Sequence, residues 1–453
     1  MNKRNLSLTS VLLSVLALLL AACGASNNDQ TATSTTTAPK ETTSVSRYES
    51  VDTYAELPNH LSWEQINAFP VVNENMTIDE ARKLCVDFFR FAKTALWISD
   101  NDMEFVKNKS GSQDEMGEGV VYGGLPYVGN GSGSVYRLMD YMDPDTGVVN
   151  IKNAVNEEDS YDGWKTFGNQ CSIGAYWGWG RVINSAAYKW TQNCVQKNKM
   201  PRVGPYTYDD DLTRLAGKTD GVENPNTVDI LAENGTEIMY KSYAEVKLGD
   251  GLVYYTTAGH VIMASCDAQV AYKADGSIDP DESFITIIDQ GQTWYENGVA
   301  KDGTAFTYKG GVDTKKTFRQ LFDGHYMPFT YLEFLGEDPF EKSTCTFSHT
   351  DDIITTTELF SSKVTSNYGI SDVYAVVYDE NGNEVYKHAV RCTSASSEEL
   401  KLTRHAKEGS AIPTVETWGN LSFTPGKTLT VKILVQLSTG ERPTVYEGTL
   451  VQG

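Results

Sequence analysis

Residues 168–182, GNQCSIGAYWGWGRV, combine a helical pattern with several glycines, and this combination limits what can pack around them. Five residues recur at helical intervals and share one face: Cys171, Ala175, Trp179, Val182 and Ala186. Gly168 and Asn169 precede them and can turn the chain and cap a helix. Three glycines lie within or just after the pattern: Gly174, Gly178 and Gly180. Each costs about 1 kcal/mol in a helix relative to alanine, so we expect a strand or a bound ligand to approach closely.

The N-terminus has the pattern of an export signal. Lys3 and Arg4 precede an apolar run at residues 11–20, which is shorter than the roughly 20 residues needed to span a bilayer. The run ends in LAAC, which resembles the lipobox of bacterial lipoproteins and implies that residues 1–22 are removed and that Cys23 carries a lipid. The alternative is an ordinary secretion signal with an incidental cysteine. We expect a lipid-anchored protein facing the extracytoplasmic side of a bacterial, Gram-positive cell membrane.

The segment after the signal cannot fold by itself. Residues 23–47 are polar, aromatic-free and rich in threonine and serine, which predicts a disordered tether. Residues 48–453 are long enough for two or three domains. The formal charge of −22 becomes −24 when Lys3 and Arg4 are lost with the signal. Such a charge disfavours nucleic acid and an anionic membrane surface as binding partners.

Six cysteines follow Cys23, with wide and irregular spacing. They form no CxxC pair and no zinc-like grouping with histidine, so we predict neither a metal site nor another cofactor. Their number also excludes a dense disulfide scaffold. Cys345 and Cys392 either bridge two sheets or remain as two buried thiols.

A helix is predicted at the start of the folded part. Thr77 is a possible N-cap with Glu80 three residues later, and Leu84, Phe88 and Phe91 follow at helical spacing. Residues 118–142 then form a stretch rich in glycine and tyrosine, which either lines a groove or is a surface loop held by buried tyrosines.

The thiol of Cys171 is predicted to lie almost at the start of its helix. Unpaired amides and the helix dipole at that end favour the thiolate, which is the nucleophilic form. A single free cysteine is more commonly a buried structural residue, so a nearby base is needed to support a catalytic role.

His260 is the histidine with the most informative setting. Residues 247–265, KLGDGLVYYTTAGHVIMAS, predict two strands joined by a sharp turn, with His260 at the head of the second strand and on its core-facing row. A satisfied histidine at the edge of the core is the alternative. Residues 284–294, FITIIDQGQTW, predict a third strand in which Asp289 lies on an apolar row, where a carboxylate needs a partner such as an imidazole N–H.

If Asp289 ends the antiparallel neighbour of the His260 strand, the two side chains lie on one face at cross-strand distance or one diagonal further. Gln290 and Gln292 are rivals for this position, because a register slip of one residue exchanges the two faces. Cys171, His260 and Asp289 then form a nucleophile, a base and an orienting group.

These motifs resemble papain-like peptidases of the NlpC cell-wall endopeptidase family and, more distantly, the CHAP amidases. A cysteine heading a helix, then LGDGLVYY with GHVIM, then a polar residue on the next strand, carry the likeness within residues 75–335. The resemblance implies that Cys171 is the nucleophile, His260 the base and Asp289, Gln290 or Gln292 the orienting group. The chain departs from the family's Asp-Cys-Ser-Gly pattern, since Gln170 precedes the cysteine and the glycine comes one residue later.

The resemblance also implies substrate contacts. The tyrosine–glycine segment that precedes the nucleophile in the family is similar to Tyr122, Gly123 and Gly124 here. Together with Trp177 these residues are the predicted substrate-binding residues. In the acyl-enzyme route, the Cys171 amide and Gln170 are candidates to stabilise the oxyanion.

The last third of the chain changes character. Residues 372–390 contain an Asn-Gly hairpin signal between two strands, and residues 428–450 predict another strand pair. Residues 341–453 therefore indicate an antiparallel, Ig-like β-sandwich that binds a protein or wall ligand or packs on the rest of the chain.

The sequence thus predicts an α+β protein with a papain-like cysteine hydrolase domain at residues 48–340 followed by the β-sandwich. The expected activity is cleavage of amide bonds, with peptidoglycan peptides or another peptide as substrate. A transglutaminase-like acyl transferase is a close variant. The alternative from another class is a non-catalytic binding lipoprotein for a solute or the wall. A solute binder is expected to have two βαβ lobes, and the β-rich last third disfavours it.

Overall fold

The computed structural model describes the following residues: 57–104, 115–129, 131–151, 154, 167–184, 191, 194, 200–208, 226–256, 258–391, 397–401 and 428–452. They all belong to one compact unit, residues 50–453. The predicted signal, the tether, the lipidated Cys23, Ala186 and Cys392 lie outside the described residues. No helix in the described ranges has the length and apolar character needed to cross a membrane.

The fold is mixed α+β, as predicted. Its helices in the described ranges are short except for two: α1 Trp63–Asn67, α2 Ile78–Thr94, α3 Val135–Leu138, α4 Cys171–Trp179, α5 Thr227–Ala244, α6 Phe318–Asp323, α7 Leu332–Leu335 and α8 Thr356–Ser361.

The strands before residue 340 form two five-stranded sheets and one short pair. The first sheet has the order β5-β1-β4-β10-β9, the second has the order β11-β8-β7-β6-β12, and β2 pairs with β3. Their bounds are β1 Leu96–Ser99, β2 Met103–Glu104, β3 Glu115–Met116, β4 Val121–Gly123, β5 Val148–Val149, β6 Gly251–Tyr255, β7 Gly259–Ala264, β8 Phe284–Asp289, β9 Trp294–Val299, β10 Ala305–Lys309, β11 Thr314–Thr317 and β12 Met327–Phe329.

The strands after residue 340 form one connected sheet of seven strands, in which the long β15 pairs with β13, β16, β17 and β18, and β14 pairs parallel to β19. Their bounds are β13 Cys345–Phe347, β14 Ile353–Thr355, β15 Lys363–Tyr378, β16 Glu384–Arg391, β17 Ser397–Lys401, β18 Leu429–Leu437 and β19 Thr444–Val451. Both predicted hairpins, β15–β16 and β18–β19, are confirmed. Cys345 has no disulfide partner among the described residues.

Helix α2 begins as the sequence predicts. The Thr77 hydroxyl accepts a hydrogen bond from the Glu80 backbone N–H, and the Glu80 carboxylate accepts one from the Thr77 backbone, which completes a capping box. Leu84 and Phe88 are buried and Phe91 is partly buried, so the predicted apolar face is confirmed.

Helix α4 is buried on every side, and all nine of its residues are buried. Ala175 and Trp179 belong to the core between α2, α5 and the second sheet, whereas Ile173 and Trp177 belong to the core beneath the first sheet. A helix that is apolar all round is stable only in such a position. The helix ends at Trp179, so Val182 follows it instead of extending it.

The predicted close approach to the glycines is confirmed. A Cβ built on Gly174 would lie 2.8 Å from the Cβ of Gln290, at the end of β8. A Cβ on Gly178 would lie 2.8 Å from the Cβ of Phe89 and 2.9 Å from the carbonyl oxygen of Cys85, both on α2. Close packing of a helix and a strand therefore offsets the low helix propensity of glycine.

Residues 118–142 partly match one of the two alternatives considered for them, because Tyr122 and Tyr136 are buried as that alternative expected. Leu125, Val128 and several neighbours are core residues in contact with α2 and α4 as well. The described part of the segment therefore lies mostly in the core under the first sheet instead of on the surface.

A buried ionic network joins this segment to the C-terminal sheet. Arg137 donates from Nε to Asp372 at 2.8 Å, and their side chains are 1% and 0% exposed. Arg391 donates to Asp372 at 3.2 Å and to Asp140 at 2.5 Å. Removing the sheet would leave the buried Arg137 without the Asp372 carboxylate, and an unpaired buried charge is strongly destabilising.

We expect Gly178→Ala to lower the free energy of unfolding by about 1–3 kcal/mol, because the added methyl group meets the backbone of Cys85 and cannot be relieved by a side-chain rotation. Urea denaturation of the two proteins measures the change. An unchanged or increased stability would show that helix propensity dominates at this position and that the packing is looser than described.

Candidate active site

Cys171 is the first residue of α4, as predicted. The N-cap is Gln170, in an extended conformation with φ −97° and ψ 174°, and its side chain makes no capping hydrogen bond. This corrects the expectation that Gly168 and Asn169 cap the helix. The first N–H groups of the helix therefore have no intrahelical acceptor and point toward the region of the thiol. The Cys171 side chain is 3% exposed.

His260 lies opposite this helix end on β7. The strand forms an antiparallel hairpin with β6 in which Tyr254 faces His260, and it pairs on its other side with β8. The Cys171 Sγ atom lies 4.0 Å from the carbonyl oxygen of Gly259, the residue before His260. The thiol and the imidazole are close enough for each charge to shift the pKa of the other group.

Asp289 is the partner of His260. In the register of β7 and β8, Ile262 faces Asp289 directly, so His260 is its diagonal neighbour on the same face. The Asp289 Oδ2 atom lies 3.1 Å from His260 Nε2, and the two side chains are 21% and 24% exposed. The predicted contact between these two residues is confirmed.

The second oxygen of Asp289 is also held. Its Oδ1 atom accepts a hydrogen bond from the backbone N–H of Gly311, in the turn after β10. Gly310, just before it, has φ +77°, and a Cβ there would lie 2.2 Å from the Asp289 carbonyl oxygen. Only glycine fits this turn, which fixes the carboxylate against both the backbone and the imidazole.

The charges of the three groups support one another. Burial raises the pKa of the Cys171 thiol, but the His260 imidazolium and its hydrogen bond, with backbone hydrogen bonds from Val261 and Ser172, bring it below the usual value. Burial likewise raises the pKa of Asp289, and the hydrogen bond and charge of His260 more than reverse this effect. Both acids are therefore stabilised as anions by the histidine.

The pKa of His260 lies well above its usual value. Burial lowers it, while the negative charge of Tyr326 when ionised, the Cys171 thiolate and the hydrogen bond with Asp289 raise it. Burial also raises the pKa of Tyr326. That phenol is therefore neutral near pH 7, and the anions that favour the imidazolium there are Cys171 and Asp289. The site can consequently hold a thiolate–imidazolium pair at neutral pH.

The sequence analysis missed two neighbours of the site. The Tyr326 ring meets the His260 ring edge to face, with 6.5 Å between centroids. Lys93, near the end of α2, is buried and donates from Nζ to Gln290 Oε1 and to the carbonyl oxygen of Lys309. Burial lowers the pKa of Lys93 to about 7. The sequence could have indicated that Lys93 is buried, because Cys85, Phe89 and Lys93 follow one another at i, i+4 spacing on the buried face.

The rival residues for the position of Asp289 lie elsewhere. Gln290 is buried on the opposite face of its strand, where its Nε2 donates to the Leu125 carbonyl oxygen at 3.0 Å. Gln292 is exposed, and its carbonyl oxygen accepts a hydrogen bond from Lys309 Nζ at 2.5 Å. Neither is hydrogen-bonded to His260. Gln170 stays beside the thiol, with its Nε2 atom 3.5 Å from the Ser172 hydroxyl.

The predicted substrate residues are core residues, which corrects that expectation. Tyr122 is 5% exposed and stacks on Trp97 with 4.9 Å between ring centroids, and Trp177 is 2% exposed and donates to the Gly133 carbonyl oxygen at 2.7 Å. Gly123 and Gly124 allow close packing, since a Cβ would meet the Phe306 ring at 2.5 Å and the Ala92 carbonyl oxygen at 2.7 Å, respectively. All four residues are buried and pack against other residues of the core.

No protein-family model matches the chain, and no curated protein sequence is similar to it. The geometry of the site and the likeness of its motifs are therefore the basis for any functional assignment.

We expect iodoacetamide to alkylate Cys171 before Cys85 and Cys194 near pH 7. Burial raises the pKa of both other thiols far above the usual range, whereas that of Cys171 is lowered. Mass spectrometry of tryptic peptides after timed labelling measures the order. Earlier or equal labelling of Cys85 or Cys194 in the folded protein would contradict activation of the Cys171 thiol.

Proposed function

We propose that this protein is an exported cysteine hydrolase that cleaves amide bonds in peptides, with the peptides of peptidoglycan as the substrate class. The observation that carries the proposal is the line of contacts from the helix-start thiol of Cys171 through His260 to the fixed carboxylate of Asp289. A thiol, an imidazole and a carboxylate in this order are the parts of an acyl-transfer site.

In the proposed mechanism the Cys171 thiolate attacks the carbonyl carbon of the amide. The C–N bond then breaks, and the His260 imidazolium gives its proton to the departing amine. A water molecule next attacks the thioester, His260 accepts its proton, and the Cys171 sulfur leaves as the carboxylic acid forms. Asp289 keeps the imidazole in one orientation and stabilises its positive charge throughout.

The oxyanion of each tetrahedral intermediate needs hydrogen-bond donors. The backbone N–H of Cys171 is at the open start of α4, where the helix dipole also favours negative charge. The side-chain amide of Gln170 is the second candidate donor, because it lies beside the thiol. The backbone N–H of Gln170 is not a candidate, since it donates to the Gly131 carbonyl oxygen. Together they would provide two donors on one side of the sulfur.

The same contacts support a papain-like arrangement for the central part of the chain. The thiol-bearing helix packs on β7 of an antiparallel sheet, and the chain order is cysteine, histidine, carboxylate. We also propose that the C-terminal strands form an Ig-like domain, and their two antiparallel hairpins support this. A solute-binding protein with two βαβ lobes fits these mainly antiparallel sheets less well.

The proposed location is the outer face of the cell membrane, with a lipid on Cys23 and residues 23–47 as the tether. This placement would bring the site to the cell wall. A transglutaminase-like acyl transferase would use the same thioester and differ only in transferring the acyl group to an amine instead of water.

The test is incubation of the form lacking residues 1–23 with purified muropeptides, followed by mass spectrometry. Hydrolysis adds one water to the cleaved fragments, whereas acyl transfer joins a fragment to an added primary amine. Loss of both products in Cys171→Ala supports the proposal. A defined fragment that persists in Cys171→Ala would remove that thiol from the chemistry.

In the same assay we expect Asp289→Asn to lower turnover by about 10²–10⁴-fold without a change in thermal stability large enough to unfold the protein, because an amide cannot stabilise the imidazolium as a carboxylate does. Gln292→Ala is the matched control and should retain full activity, because its side chain is exposed. Full activity in Asp289→Asn together with inactivity in Gln290→Ala or Gln292→Ala would transfer the orienting role to that glutamine.

A further inference from the structure

A cavity of about 510 Å³ lies at the opposite end of α4 from the thiol. Its walls come from α1 and the segment after it, including Trp63, Phe69 and Val71, and from the turn between β18 and β19, including Glu441 and Arg442. Arg181 lines the same cavity. Cys171 and Trp179, the first and last residues of α4, are about 12 Å apart along the helix axis, and Arg181 follows Trp179, so the cavity is distinct from the candidate active site.

Arg181 is a buried cation without a buried anion. Its side chain is 1% exposed, and it forms no salt bridge with any carboxylate among the described residues. Its Nη1 atom donates to the Tyr136 hydroxyl at 3.2 Å and its Nη2 atom to the Pro70 carbonyl oxygen at 3.0 Å, but its Nε has no acceptor. A buried guanidinium that contacts only neutral groups lacks the negative charge that would offset the free-energy cost of its burial.

Arg442, in the turn between β18 and β19, lines the same cavity. Its guanidinium lies over the rings of Tyr374, at 4.3 Å, and Trp63, at 5.2 Å, and its Nε also has no acceptor among the described residues. Glu441 lies beside it, but the Glu441 Oε2 atom accepts hydrogen bonds from the hydroxyls of Ser343 and Thr439 instead of pairing with either arginine. Within the described part of the chain, neither guanidinium group at the cavity therefore has a carboxylate partner.

The turn keeps the two arginines at the cavity. Gly440 has φ +94°, and a Cβ there would lie 1.8 Å from Arg181 Nη1, so the turn backbone touches the Arg181 guanidinium directly. A glycine at this position therefore allows the turn that carries Arg442 to pack against Arg181.

We propose that this cavity binds a carboxylate carried on an apolar or aromatic group, with the carboxylate between Arg181 and Arg442 and the apolar group against Trp63, Phe69 and Val71. Planar carboxylates match the guanidinium fork. A bare inorganic anion would leave the apolar side chains of Phe69 and Val71 uncovered, which favours a carboxylate that carries an apolar group. The site goes beyond the proposed hydrolase activity and requires no chemistry at the thiol.

The probes that test the proposal are N-acetyl-L-phenylalanine, its amide and inorganic phosphate, titrated by calorimetry at low ionic strength into the form lacking residues 1–23. We expect the acid to bind, and the amide to bind at least about tenfold more weakly, because a charge-assisted pair is lost. Arg442→Gln should weaken binding of the acid by a similar factor. Arg319→Gln is the matched control, since it removes the same charge from an exposed residue that pairs with Asp281.

Three results with the acid would overturn the proposal. These are an absence of binding by the acid in the millimolar range, equal affinity for the acid and the amide, and equal affinity of the wild type and Arg442→Gln for the acid. Tighter binding of phosphate than of the acid would also overturn it and assign the cavity to inorganic anions. Arg181→Lys provides a second variant that keeps the buried charge, and it should weaken the acid less than Arg442→Gln does, because a buried ammonium can still pair with the carboxylate.

Discussion

The close packing of α4 is the constraint on which the rest of the structure depends. Its glycines bring the Gln290 side chain and the α2 backbone to within contact distance of the helix, so the helix cannot shift without a clash. The thiol at its first residue is thereby fixed opposite the head of β7. The helix end near Gly180 is fixed as well, because its carbonyl oxygen accepts a hydrogen bond from the Ser438 hydroxyl of the C-terminal sheet at 2.7 Å.

Electrostatic interactions among the three site residues then determine which of them are charged. Burial alone would raise the pKa of Cys171 and of Asp289 and lower that of His260. The histidine lies between the two acids, and a single imidazolium stabilises both anions. Backbone hydrogen bonds from Ser172 to the thiolate and from Gly311 to the carboxylate add to this effect, and the charge of Lys93 also favours the Asp289 anion.

The sequence predicted those parts that depend on local patterns. The capping box at Thr77, the hairpin before His260, and the Asp289 row follow from residue periodicity and turn chemistry. It did not predict that Tyr122 and Trp177 lie in the core, because aromatic residues in a glycine-rich stretch fit a groove and a core equally well, and only tertiary packing decides. The Arg137–Asp372 contact joins residues 235 positions apart, and no local pattern encodes such a contact. The burial of Lys93 could have been predicted from its spacing, whereas its hydrogen-bond acceptors could not.

The most direct test of the central claim is a pH titration of the ultraviolet absorbance of the thiolate in the wild type, with Cys171→Ala subtracted. Because the pKa of Cys171 is lowered and that of His260 is raised, the difference signal should already be present at neutral pH and disappear only as the pH falls well below the ordinary thiol pKa of about 8.5. A difference signal that appears only above about pH 8.5 would contradict the ion pair and, with it, the proposed activation of Cys171.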